Sequence, residues 1–260
     1  MGESGEDVTN LIRSTLFEIQ EVSLLAWRAF RSLSQKPFYL KETLRQMDII
    51  GFGSLTIILL TGFFTGAVLG LQSSNILRNF GASTTIGQLV TLSLVRELGP
   101  VLSALMIAGR VGSGIASELG SMVVTEQISA MRALGTDPVR KLIIPRMIAC
   151  IWMMPFLTVV TDFVGVVGGW LIALSELHFS SSFYWSSVVN SLKYSDLVIG
   201  TTKPFFFGYI ISLIACHMGL RTTGGTQGVG NATTQSVVVA SILIIVADFF
   251  LSKMIIFITG

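Results

Sequence analysis

Charged residues are scarce in this chain of 260 residues. Asp, Glu, Lys and Arg together make up 12% of the sequence, whereas a soluble domain carries about 25%. Hydrophobic residues make up 51%, and the mean hydropathy is +0.74. This combination predicts an integral membrane protein. The formal net charge of +2 is too small to indicate a nucleic-acid partner.

Histidine and cysteine are also rare, which restricts the chemistry open to the chain. His178 and His217 lack metal-ligand spacing, so the sequence predicts no metal site. Cys150 and Cys216 lie in apolar segments and are predicted to be buried free thiols. The glycine-rich run at residues 224–230, GGTQGVG, lacks the Lys-Ser/Thr ending of a phosphate-binding loop, so we expect a flexible cytoplasmic loop or helix connection there. We expect no catalytic residues and no cofactor bound by this chain.

Long apolar runs predict an all-α membrane protein with five spanning helices, since about 20 apolar residues are needed to cross a bilayer. The predicted spans are residues 49–71, 86–115, 142–173, 205–220 and 236–258. Arg96, Glu97, Gly99 and Pro100 interrupt the second span, for which a partly re-entrant course is the alternative.

The first part of the chain has a different pattern. Between residues 11 and 46, apolar residues recur at helical spacing among acidic and basic ones, which predicts an amphipathic helix at the membrane surface. An ordinary helix packed on the protein is the alternative. We therefore divide the chain into an N-terminal tail with an interfacial helix, residues 1–46, and a transmembrane domain, residues 47–260.

Basic residues predict the orientation in the membrane. They are concentrated before the first span and between the second and third, and this bias indicates a cytoplasmic N-terminus and a C-terminus on the outer side. The opposite side is predicted to carry only Arg78, Lys193 and Lys203, the last two in the loop before the fourth span.

Small residues at every fourth position predict closely packed helices. The first span carries one such ridge, and Ile58 is predicted to face lipid rather than a neighbouring helix. The second span carries two ridges, which together with the first predict a tight bundle and self-association. The packing residues are Gly62, Gly66 and Gly70 in the first span, and Gly112, Ala116 and Gly120 in the second, where Gly109, Ser113, Ser117 and Ser121 form the neighbouring ridge.

Charges within the spans are the strongest indication of function, because they are costly in lipid. Arg96, Glu97, Arg110 and Glu118 must face protein, water or a partner, and we predict that they line a transport path together with Pro100. Proline lacks the N–H that would bond the carbonyl four residues earlier, so a kink is expected at Pro100. The alternative is that Arg96 and Glu97 pair with charges on neighbouring spans and hold the bundle together. For Asp162 and Asp248, hydrogen bonding between helices is favoured over contact with a substrate.

A short polar helix is predicted between the second and third spans, at about residues 125–135. Thr125 is the predicted N-cap, with Glu126 in the first turn, Gly135 ends the helix, and Asp137 starts the next one. A helix this short needs a partner for its apolar face, and we interpret it as a coupling helix docked into a cytoplasmic ATPase, with a capped loop on the bundle as the alternative. The predicted coupling residues are Thr125, Glu126, Gln127, Ile128, Met131, Leu134, Gly135 and Asp137.

The run LVRELGPVLSALMIAGRVGSGIASELGSMVVTEQISAMRALGTDPVRKLIIPR at residues 94–146 closely resembles the core of MlaE/YrbE-type permeases of bacterial lipid ABC transporters. The resemblance extends from GAVLGLQ at residues 66–72 to ATTQSVVVAS at residues 232–241, over essentially the whole chain. It implies a homodimeric permease in the bacterial inner membrane, with a periplasmic C-terminus and two ATPase subunits that bind ATP and Mg²⁺. It also implies a STAS-domain accessory protein and a periplasmic hexamer of MCE-domain lipid-binding subunits.

The resemblance further implies that the substrate is a glycerophospholipid, moved between inner and outer membranes to maintain outer-membrane lipid asymmetry. An alternative is an ion-coupled secondary transporter of a lipid or amphiphile, using Glu97, Asp162 and Asp248 as proton or ion sites. The five spans show no obvious repeated halves, which disfavours this alternative. A lipid-modifying membrane enzyme is disfavoured because histidines and clustered carboxylates are scarce.

Overall fold

The computed structural model describes residues 3–32, 39–79, 85–177 and 180–259. Within these residues the chain is helical and contains no strand, which confirms the all-α prediction. His178 lies outside the described residues. The helices are α1 (Glu3–Ser32), α2 (Leu40–Asn79), α3 (Ile86–Val124), α4 (Gln127–Ala133), α5 (Ile144–Leu177), α6 (Ser181–Ser191), α7 (Tyr194–Leu220) and α8 (Gly225–Thr259).

Five of these helices, α2, α3, α5, α7 and α8, are long and apolar enough to cross a membrane, which confirms the predicted number of spans in this multi-pass membrane protein. The second span is one continuous helix, so it is not re-entrant. The fourth span begins at Tyr194 rather than residue 205, and this places Lys203 inside a helix, where it is buried. Its prediction as a loop residue was therefore wrong.

Of the two predictions for the glycine-rich run at residues 224–230, the structure shows the helix connection rather than the flexible loop. Gly224 and Gly225 have φ angles of +85° and +67°, a left-handed conformation that glycine adopts without strain. They turn the chain sharply after α7, and the residues from Gly225 onward form the first turns of α8. The connection between the fourth and fifth spans is therefore short.

Helix α1 is tied to the bundle by ion pairs at the end of α7. The Arg221 guanidinium lies 3.4 Å from Glu18 and 3.3 Å from Glu21. Large apolar side chains of α1, including Trp27 and Phe30, are exposed, as a helix at the membrane surface requires. Helix α2 begins at Leu40, so the division that we drew at residue 46 falls within one continuous helix.

The glycine ridge of the first span packs against α5. A Cβ atom on Gly66 would overlap the carbonyl of Gly165, and one on Gly62 would lie 2.8 Å from the carbonyl oxygen of Thr161. Gly70 makes the same approach to Gly169 one turn further along. This confirms the predicted close packing and places it between two helices of one chain. Ile58, four residues before Gly62, continues the ridge and is fully buried, so its predicted exposure to lipid was wrong.

The two ridges of the second span have different surroundings. On the first, Gly120 lies against Thr222, with 2.6 Å between an added Cβ and the Thr222 hydroxyl. Ala116 is fully buried against Gly219, whereas Gly112 makes only ordinary contacts. On the second ridge, an added Cβ at Gly109 would meet nothing within 4 Å. Gly109 and Ser121 of the second ridge are exposed, whereas Ser113 and Ser117 are half-buried.

Candidate functional site

The second span departs from α-helical geometry at two turns, and both carry predicted site residues. Leu94–Leu98, which includes Arg96 and Glu97, is π-helical, and so is Ala108–Gly112, which includes Arg110. The first π-helical turn ends at Gly99, directly before Pro100, where we predicted a disturbed helix. Such turns inside α-helices are frequent at functional sites.

A buried lysine compensates for the missing N–H of Pro100. The Lys203 ammonium donates a hydrogen bond of 3.0 Å to the carbonyl oxygen of Arg96, the group that Pro100 leaves without its helical donor. Only 1% of the Lys203 side chain is exposed. The backbone carbonyl that Pro100 leaves without a donor on α3 is thus hydrogen-bonded by a lysine on α7.

Lys203 also joins three helices through a charged cluster. Its ammonium lies 2.7 Å from the Glu97 carboxylate of α3 and 3.0 Å from the Asp248 carboxylate of α8. It also donates to the Ser252 hydroxyl at 2.7 Å, and Ser252 donates to Glu97 at 3.2 Å. One ammonium faces two carboxylates, so the formal charge of the cluster is −1. This confirms the predicted pairing of Glu97 with a charge on a neighbouring span.

Arg96 pairs separately with the start of α7. Its guanidinium lies 2.7 Å from the carboxylate of Asp196, which is buried. Asp196 also accepts a hydrogen bond of 3.2 Å from the backbone N–H of Lys193, so it both caps α7 and holds Arg96. About half of the Arg96 side chain, 49%, remains exposed.

The other two charges of α3 lie nearer its far end and are held in a similar way. Arg110 donates a hydrogen bond of 2.8 Å to the Ser54 hydroxyl of α2, where its guanidinium lies over Gly53. Glu118 lies 2.8 Å from Arg146 of α5, whose side chain is buried. Each charged side chain on α3 is therefore fixed from one side and exposed on the other.

These four charges lie on one face of α3. Along this helix, buried residues recur at helical spacing and pack on the bundle, while Arg96, Glu97, Arg110 and Glu118 are all exposed. Small residues, among them Gly114, fill the same exposed face. A pocket of about 360 Å³ opens there between the start of α2 and α3, and its charged lining residues are Glu42, Arg45, Arg110 and Glu118. We call this exposed face of α3 the charged face.

The short helix predicted between the second and third spans is present, but it begins later than expected. The Thr125 hydroxyl donates to the carbonyl of Ser121 at 2.8 Å, so Thr125 completes α3 rather than capping α4. Glu126 precedes α4 in a left-handed conformation with φ +59° and provides no side-chain cap. The predicted N-cap and first turn were therefore wrong. The sharp turn needs one residue at positive φ, and Glu126 takes that position.

The end of α4 agrees with the sequence. Gly135 has φ +74°, and its N–H bonds the carbonyl of Arg132 at 3.0 Å. Asp137 then accepts a hydrogen bond of 3.0 Å from the N–H of Val139, as expected for the start of the π-helical segment Val139–Ile143, which runs directly into α5. The residues that we predicted to form one apolar face have different surroundings: Ile128 is buried, whereas 83% of Leu134 is exposed. One end of α4 thus packs on the bundle while the other presents an apolar side chain.

The sequence did not identify the buried partners of the charged face. Lys203 was assigned to a loop outside the membrane, and neither Arg146 nor Asp196 was identified as a partner. A signal for Lys203 is its position directly before Pro204 and the apolar run FFFGYI, with a second apolar run, LVIG, at residues 197–200. Asp162 was expected to bond another helix, but its Oδ1 atom has no hydrogen-bond partner among the described residues. Asp248 does bridge helices, through Lys203.

Comparison with known proteins places the chain in one family. A family model described as Permease MlaE matches residues 43–254. A probable ABC transporter permease protein of Rickettsia felis is 44% identical over 232 residues, covering 89% of this chain and 90% of the relative. The intermembrane phospholipid transport system permease protein MlaE of Haemophilus influenzae is 40% identical over 227 residues, covering 86% and 87%. Protein TRIGALACTOSYLDIACYLGLYCEROL 1, chloroplastic, of Arabidopsis thaliana is 37% identical over 232 residues, covering 89% and 66%. This chain belongs to the MlaE permease family.

Proposed function

We propose that this chain is the membrane subunit of an ABC transporter that moves glycerophospholipids between the inner and outer membranes and so maintains outer-membrane lipid asymmetry. The charged face of α3 is the observation that carries the proposal. Four charged side chains there are anchored by protein on one side and exposed on the other. Exposed charges cannot face hydrocarbon without a large cost, whereas they suit a path for a zwitterionic or anionic headgroup.

The charged face also supports a homodimer. Gly109 and Gly114 place no side chain on this face, and a Cβ added at either would contact no described residue within 4 Å. Such small residues let a second helix approach closely. Two copies that meet along this face would enclose the charges of both α3 helices, away from lipid. The path would then lie between the two copies, with Arg96, Glu97, Arg110 and Glu118 along it.

In this proposal, separate partner proteins supply the remaining parts of the transporter. Two ABC ATPase subunits bind ATP and Mg²⁺ and dock on α4, while this chain has no catalytic role and holds no cofactor. A STAS-domain protein and a periplasmic MCE-domain hexamer complete the assembly. The N-terminus and α4 lie in the cytoplasm, and the C-terminus in the periplasm of a bacterium, in line with the distribution of basic residues.

Purification of the tagged chain from native membranes tests the assignment. We expect an ABC ATPase and bound phospholipid to be recovered with it in stoichiometric amounts. Recovery of a monomer that holds neither ATPase nor phospholipid would contradict the proposal.

The exposed end of α4 provides a test of docking. Replacing Leu134 with aspartate should detach the ATPase, because an apolar contact is lost and a carboxylate is desolvated at the interface. The fold should be preserved, since 83% of Leu134 is exposed. Recovery of the ATPase is measured on the purified chain. Thr223→Asp, an exposed position in the turn after α7, is the matched control and should bind normally; equal recovery from both variants would refute docking on α4.

Glu97 tests whether the charged cluster acts in transport. Glu97→Gln retains a hydrogen-bonding group for Ser252 and leaves Lys203 paired with Asp248 alone, so the cluster becomes neutral. We therefore expect normal assembly with the ATPase but a reduced rate of lipid transport. Complex yield and transport are measured on the same preparation. Wild-type transport in this variant would show that the carboxylate of Glu97 has no part in the path.

One observation favours the second candidate, an ion-coupled secondary transporter. The cluster around Lys203 has one carboxylate more than it has cations, and carboxylates within spans often serve as proton or ion sites. Transport in vesicles that lack ATP but carry a proton gradient would distinguish this function from the first.

A further inference from the structure

Helix α1 carries a surface that takes no part in the proposed transport path. The helix contacts α7 and the segment Val139–Ile143 that leads into α5, so it lies at the end of the bundle that carries α4. Ala29 is fully buried in the main apolar core, and Val22 and Leu25 pack against that core. These three residues mark the inner side of α1, and the opposite side of the helix is exposed.

The exposed side of α1 combines apolar and basic side chains. Positions 13, 17, 20, 24, 27 and 31 recur at three- and four-residue spacing, which places them on one side of a helix, and the residues at all six positions are exposed. Arg28 is exposed beside them. We call this side the outer face of α1, and it consists of Arg13, Phe17, Gln20, Leu24, Trp27, Arg28 and Arg31.

The acidic residues of α1 lie away from the outer face. Between residues 13 and 31 the sequence has two acidic residues, Glu18 and Glu21, and both pair with Arg221 at the end of α7. The acidic residues in the first turns of the helix precede Arg13 by six positions or more, which is about 9 Å along a helix. The outer face therefore carries three arginines and no carboxylate.

The composition of the outer face determines the kind of partner. Phe17, Leu24 and Trp27 suit the boundary between headgroups and acyl chains, where their apolar surface leaves water. Arginine lays its apolar stem along lipid while its guanidinium reaches the phosphates. The phosphate of a zwitterionic lipid is balanced by the lipid's own ammonium group, whereas an anionic lipid brings a net negative charge to a face that carries only positive ones. The outer face is thus complementary to anionic lipid.

We propose that the outer face of α1 binds anionic phospholipids of the surrounding membrane. The guanidinium groups of Arg13, Arg28 and Arg31 lie at the phosphate layer, with Phe17 and Trp27 among the upper parts of the acyl chains. These lipids are neighbours of the chain and not its transported substrate, because the proposed path lies on α3. Binding there requires neither the ATPase nor transport, so its loss would not bear on the proposed function.

Photolabelling of the full chain in phosphatidylcholine vesicles tests this surface. The probes are phosphatidylglycerol and phosphatidylcholine with the same diazirine in one acyl chain, each added in trace amount, and the labelled segments are identified by mass spectrometry. We expect phosphatidylglycerol to label residues 13–31 about fivefold more than phosphatidylcholine does, which is the gain from one basic residue near an anionic headgroup. The preference should disappear at about 1 M salt, where the screening length is about 3 Å.

Substitutions assign the preference to the three arginines. The triple variant Arg13→Gln, Arg28→Gln and Arg31→Gln should reduce the ratio between the two lipids to about one, and it should fold because all three side chains are exposed. Replacing the same three arginines with lysine keeps the charges and should retain the preference. Lys253→Gln, which removes an exposed charge near the end of α8, is a control outside the outer face and should change nothing.

Three results would overturn the proposal. Equal labelling of residues 13–31 by the two lipids would show a surface that contacts lipid without selecting it. Absence of labelling there would show that the outer face lies in water or is covered by protein, such as a second copy of the chain. A preference that survives the three glutamine substitutions or high salt would show that the arginines do not select the lipid.

Discussion

Replacing Lys203 with methionine should strongly reduce the yield of folded protein and lower its thermal unfolding temperature. Methionine has a similar volume but no charge, so the Glu97 and Asp248 carboxylates would lie together without a cation, and the Arg96 carbonyl would lose its donor. Removing one partner of a fully buried ion pair costs about 3–5 kcal/mol, and we expect the lower end of that range because 49% of Glu97 and 19% of Asp248 are exposed. The yield of monodisperse protein and its thermal unfolding temperature measure the effect.

Glu97→Gln is the control for the Lys203 prediction. It removes a charge from the same cluster but leaves one ammonium and one carboxylate, and it should be purified at nearly the wild-type yield. The double variant Lys203→Met with Glu97→Gln leaves one unpaired carboxylate and should fall between the two. Equal stability of Lys203→Met and the wild type would show that the cluster does not hold α3, α7 and α8 together.

Replacing Gly66 with leucine should also prevent the bundle from forming. A Cβ atom at this position would already overlap the carbonyl of Gly165, so α2 and α5 would have to separate. Overpacking costs about 1–3 kcal/mol where neighbouring side chains adjust, and we expect at least that cost because the obstacle is backbone. Folded yield in detergent measures the loss.

Val68→Leu is the matched control for Gly66→Leu, since it places the same residue two positions away on α2, where half of Val68 is exposed. It should have no effect on yield. If the two variants behave alike, the glycine contacts between α2 and α5 do not determine the fold. Ile58, which the sequence predicted to face lipid, would be unsuitable as a control because it is fully buried.

The features that the sequence predicted well are those with a local cause. Apolar runs predicted five spans, Pro100 predicted a disturbed helix, and Gly135 predicted a helix end, because each depends on residues within a few positions. The glycine ridge of α2 was also visible, since small residues four apart lie on one face. Its partner helix was not, because the same pattern fits contact within one chain or between two.

The features that the sequence did not predict depend on distant residues. Lys203 meets Glu97 from more than 100 positions away, and no local pattern pairs them. A count of basic residues by loop placed Lys203 outside the membrane because the fourth span was drawn too short. The turn before α4 was missed for another reason: Glu126 is an unusual choice for positive φ, which glycine and asparagine adopt more readily.

Lipid transfer by the reconstituted chain and its ATPase tests the proposed function most directly. Vesicles loaded with fluorescent phospholipid are supplied either with ATP and Mg²⁺ or with a proton gradient alone, and transfer of lipid to an acceptor is measured over time. We expect transfer only with ATP and Mg²⁺, and a lower rate in Glu97→Gln at equal complex yield. Transfer driven by the proton gradient without the ATPase would contradict the account.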